Sequence, residues 1–109
     1  MKESLKTKLQ SMLERFQEVE SLLSEADIIA DQNQFKKLSK EYAQLEPIAQ
    51  SYNNYSNAID NLNELEELIA GDDQDLATMA ADEIKQAQTN VTELETELQG
   101  ANYLNFLKN

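Results

Sequence analysis

FKKLSKEYAQLEPIAQSYNNYSNAIDNLNELEELI, residues 35–69, decides the fold. Apolar residues recur in it at Phe35, Leu38, Tyr42, Leu45, Ile48, Tyr52, Tyr55, Ile59, Leu62 and Leu65. Spacings of three and four over such a length describe one face of a single long helix. At about 1.5 Å per residue it would reach roughly 50 Å, longer than a compact domain of this size is wide, so the expected architecture is a rod. Pro47 sits in its middle, where a proline removes a backbone hydrogen bond and crowds the carbonyl four residues earlier, at a cost of about 3 kcal/mol. Glu46 and Leu45 are poor N-caps, so the reading is one helix kinked near Pro47 and not two helices.

Outward from that stretch, Leu5, Leu9, Met12, Phe16, Val19 and Leu23 alternate at spacings of four and three, widened by Leu13 and Leu22. This is the stripe of a helix that packs nearly parallel to its neighbours in a bundle. Residues 24–34 interrupt the period with Asp27, Asp31 and Asn33, and read as a short connector with Ile28 and Ile29 tucked beneath it; Asp31 or Asn33 then caps the long helix. On the other side, Gly71 reads as a glycine stop, and Asp72, Asp73 and Asp75 as acidic groups at the positive end of a third helix. That helix carries Leu76, Ala80, Ile84, Ala87, Val91, Leu94 and Leu98, and Gly100 offers it a left-handed cap. Short connections force sequential helices antiparallel. The expectation is an all-α, elongated, coiled-coil-like antiparallel three-helix bundle over residues 1–100, with 101–109 as a C-terminal tail. The first helix should cover the N-terminal part of the long one and the third its C-terminal part, leaving apolar surface at the two-helix ends for self-association.

Composition excludes most chemistry. The chain of 109 residues has two glycines and one proline, too little turn chemistry for a strand-rich fold. It has no cysteine and no histidine, so disulfides, thiolate nucleophiles and the commonest general base and metal ligand are absent together. With 21 acidic against 9 basic residues the net charge is −12, which repels phosphate backbones and anionic lipid; protein partners are expected, with no direct nucleic-acid or membrane binding. No apolar run has the length of a transmembrane helix and the N-terminus lacks the pattern of a signal peptide, so a cytoplasmic location is expected.

Candidate sites are few. The run Asp72, Asp73, Gln74, Asp75 lacks the glycine and glutamate of a calcium loop and reads as helix capping. Glu64, Glu66, Glu67, Glu93, Glu95 and Glu97 have no histidine to complete a di-iron site and read as solvated faces. Lys36, Lys37 and Lys40 form the one basic patch, either a partner contact or ordinary helix surface with Lys37 near Glu41. Tyr42, Tyr52 and Tyr55 read as core edges with hydroxyls reaching water. No catalytic, metal or cofactor residue is identified, and the chain is not expected to be an enzyme.

The order of residues adds to this. The stretches KLQSMLERFQEV (8–19), IADQNQFKKLSKEYAQL (29–45) and MAADEI (79–84) resemble the N-terminal domain of bacterial class I peptide chain release factors, the type that reads UAA and UAG. The most specific part is Phe35 to Tyr42. The resemblance implies a helical domain of a protein that terminates translation. It also implies contacts at the ribosomal GTPase-associated centre and its protein L11. The catalytic Gly-Gly-Gln and the stop-codon Pro-x-Thr of that family fall on no residue here, since Gly71 and Gly100 are far apart and Pro47 is followed by Ile48 and Ala49. The ending, GANYLNFLKN, departs from the family's Pro-Lys-Asp-Pro continuation, as divergent sequence, a frameshifted end or a naturally short, truncated product would. The alternative left open by the residues alone is a free-standing acidic coiled-coil adaptor or chaperone-like protein.

Overall fold

The computed structural model describes residues 1–100; the expected tail, 101–109, lies outside the described residues. Four helices follow in order: α1 (Glu3–Leu22), α2 (Ala26–Ala30), α3 (Gln32–Ala70) and α4 (Gln74–Leu98), and there is no strand among the described residues. The fold is all-α, with the three long helices the hydrophobic period requires.

Helix α3 runs unbroken through Pro47. The exposure pattern shows how it does so. Pro47 and Ala43, whose carbonyl loses its donor, are both exposed, so solvent can bond the orphaned oxygen while Leu45, Ile48 and Ala49 stay buried on the other side. The start of α3 is set by Asp31, whose Oδ1 accepts from the backbone N–H of Asn33 at 3.1 Å and of Gln34 at 3.2 Å. Asp73 repeats this geometry at the start of α4, accepting from Asp75 at 3.0 Å and Leu76 at 3.2 Å. Each aspartate satisfies two donors that a helix N-terminus leaves without an intrahelical partner.

Three expectations are corrected. The 24–34 connector contains a helical turn, α2, and Ile29 is not tucked beneath it but 55% exposed. The turn is too short to fold back over its own side chains. Neither Gly71 nor Gly100 adopts a positive φ; α3 and α4 end instead on tightened turns, Gly71 N–H to Leu68 O at 3.3 Å and Gly100 N–H to Glu97 O at 3.1 Å. Finally, Phe35 and Leu76, the first members of the α3 and α4 stripes, are exposed, because a stripe keeps its period past the point where a neighbouring helix covers it.

The chain forms two compact units, Met1–Tyr52 and one beginning at Asn53, and α3 contributes to both. In the first unit the core is Leu9 and Val19 of α1 with Leu38, Leu45, Ile48, Ala49 and Tyr52 of α3. Arg15 and Phe16 meet Glu41 and Tyr42, while Gln10, earlier in α1, meets Tyr52, later in α3, so the two helices are antiparallel. In the second unit Leu65 of α3 packs with Ala80 and Ala87 of α4, flanked by Leu62, Leu68 and Ile84. The short 71–73 turn makes this pair an antiparallel hairpin too. Alanine in two of the three buried positions of this cluster lets the helices approach closely.

Candidate functional site

The first turns of α3 carry the basic patch singled out by sequence. Lys36, Lys37 and Lys40 are all exposed, and Lys36 and Lys40 sit one turn apart on α3. Lys37 is near Glu41, as the sequence suggests, and its charge adds to the field on that carboxylate. Its contribution is secondary, however. Glu41 accepts two hydrogen bonds from Arg15 across the helix pair, Nε to Oε2 at 2.7 Å and Nη2 to Oε1 at 2.8 Å, while Nη1 reaches Glu18 Oε1 at 2.8 Å on its own helix. The hydrogen bonds from Arg15 hold the Glu41 carboxyl below the usual range, and those same bonds raise the guanidinium. Sequence reasoning did not find this pair. The one signal was that Arg15 is the only arginine in the chain, and bidentate geometry is what arginine offers over lysine.

Beside the ion pair, Phe16 and Tyr42 stack with ring centroids 4.8 Å apart and planes 28° from parallel. The Tyr42 phenol is pushed up, first by desolvation and then by a hydrogen bond to the Glu46 carboxylate. Tyr52 is buried at 6% exposure and its phenol is raised by that burial, against a hydrogen bond donated by Gln10 that acts the other way. The two tyrosines stand in the α1–α3 packing, and their hydroxyls also meet protein groups. They serve the α1–α3 packing and do not form a stacking platform.

The charge is divided unevenly. Residues 53–100 hold 12 of the 21 acidic residues and one of the 9 basic ones, Lys85. No lysine or arginine occurs between Lys40 and Lys85. Apart from Asp72 and Asp73 in the turn between α3 and α4, these acids lie along helices, and no group of three or more among the described residues is arranged to hold a metal ion. No helix among the described residues is long and apolar enough to cross a membrane. The exposed large apolar residues fall near the two helix connections, Ile29 and Phe35 around the first, Ile69, Leu76 and Met79 around the second. What the described residues present at these places is charged and apolar helix surface.

Comparison with known families decides what kind of recognition module this is. The model of the PCRF domain, a domain of peptide chain release factors, matches residues 12–102. The chain belongs to this family. The match takes in the second half of α1 and all of α2, α3 and α4, so the helices described above are those of a release-factor domain. Membership carries a role in translation termination of the release-factor type, and with it interaction with the ribosome. No solved structure matches the chain.

Proposed function

We propose that this release-factor domain is the N-terminal helical domain of the UAA- and UAG-reading type, acting in the cytoplasm through protein contact at the ribosomal GTPase-associated centre, with L11 as a partner. The match of the PCRF family over residues 12–102 is the observation that carries the reading. The finer assignment rests on the 35–42 block, FKKLSKEY, which begins α3 and holds the basic patch. Lys36, Lys37 and Lys40 are the contact residues in this reading, all exposed and held on a capped, rigid helix start. The segment does no chemistry itself. Hydrolysis of peptidyl-tRNA belongs to Gly-Gly-Gln, and the glycines here stand alone at 71 and 100.

The test uses the purified 109-residue chain. It should bind ribosomes, bind ribosomes lacking L11 several-fold more weakly, and lose a similar factor when Lys36, Lys37 and Lys40 are changed together to glutamate. It should give no stop-codon-dependent peptide release. Equal binding with and without L11 would remove the assigned partner, unchanged binding of the triple variant would return the lysines to ordinary surface, and measurable release would refute the non-catalytic role.

A further inference from the structure

The second unit ends in a hairpin tip where α3 and α4 meet across residues 71–73. The apolar stripe of α3 continues past Leu65 to Ile69, and that of α4 begins at Leu76, four residues before buried Ala80. At the tip these stripes are no longer covered: Ile69 is 38% exposed and Leu76 42%, and Met79, one helical step from Leu76, is 61% exposed. A methionine so placed is an adaptable apolar contact. Its helical neighbours at three and four residues are Asp75, Leu76, Asp82 and Glu83, so apolar surface is flanked by carboxylates on both adjoining turns.

We propose that this tip is a docking surface for a basic amphipathic helix of a partner protein. An apolar side chain of that helix seats on Leu76 and Met79, and its lysines or arginines reach Asp75, Asp82 and Glu83. Charge complementarity selects this occupant. The tip has no cation of its own between Lys40 and Lys85, so nucleic acid and anionic lipid are repelled, and a second copy brought tip to tip would meet like charge. The inference does not rest on the ribosomal reading above, because it specifies the partner's chemistry and not its source.

The probe is an 18-residue peptide of leucine and lysine patterned as an amphipathic helix, against a scrambled isomer of identical composition, in about 0.15 M salt. Methyl-labelled methionine supplies the site readout: the chain's methionines are Met1, Met12 and Met79, and Met79 alone lies at the tip. The patterned peptide should bind at least roughly tenfold tighter than its isomer and shift the Met79 methyl but not that of Met12. Met79→Glu should weaken it by a similar factor with helicity unchanged. That loss must come from the apolar contact, since the substitution only adds negative charge. Asp82→Asn with Glu83→Gln should weaken binding and flatten its salt dependence. Equal affinity for the two isomers, a shift at Met12 in place of Met79, or indifference to Met79→Glu would each overturn the proposal. So would a tip occupied by RNA, by anionic vesicles, or by a second copy through Lys36, Lys37 and Lys40.

Discussion

At the residue scale the most consequential contact is Arg15 with Glu41. Its two parallel hydrogen bonds fix the register of α1 on α3, and the stack of Phe16 on Tyr42 one position along holds the same register with apolar surface. The arginine is 39% exposed and the glutamate 31%, so solvent screens the pair and its contribution is about 0.5–1 kcal/mol, the upper part of the range for surface pairs because of the bidentate geometry. Its pH dependence has a definite sign. A carboxyl held below its ordinary value stabilises the fold above that value, and the stabilisation is lost as pH falls through the lowered folded one. Urea melts at pH 7 and pH 3 should therefore show that Glu41→Gln costs about 0.5–1 kcal/mol at pH 7 and less at pH 3. An equal cost at both would mean that the side chain acts by shape and not by charge.

At the scale of the element, α3 carries a penalty that the protein has not removed. The helix passes Pro47 with Ala43 left without its intrahelical donor, both on the exposed side. Pro47→Ala restores that bond and relieves the ring contact, so it should stabilise the chain by about 1–3 kcal/mol in thermal or denaturant unfolding, less than the full helix-interior penalty if the backbone has already adjusted. No gain would show that the present backbone path around residue 47 is itself what the packing requires. The continuity of α3 was legible in the sequence because the apolar period holds on both sides of Pro47 and no capping residue precedes it. The caps were legible in part for a related reason: Asp31 stood as one of two candidates with Asn33, and Asp73 as one of three acids just before a periodic run. What escaped was conformational and relational. A five-residue helix such as α2 has no period to read, glycine permits a positive φ without demanding it, and nothing in two separate stripes says that Arg15 faces Glu41.

At the scale of the whole molecule, two helical hairpins share one helix, and they differ in what surrounds their cores. The first unit mixes lysines, its single arginine and acids; the second has one lysine among 12 acids over residues 53–100. The cluster between α3 and α4 holds one leucine and two alanines with three partly buried neighbours, and the repulsion among the unit's carboxylates weighs against the apolar term. Ionic strength therefore becomes a two-way control. At about 0.1 M salt the Debye length is near 10 Å, and adding salt below that range screens the self-repulsion first. Denaturant melts should show the second unit gaining stability as potassium chloride rises from a few millimolar. Over the same range its affinity for a cationic helix should fall. A chain charged in this way cannot have its firmest fold and its tightest grip under one condition: the counterions that settle α4 onto α3 are the competitors that a basic partner must displace.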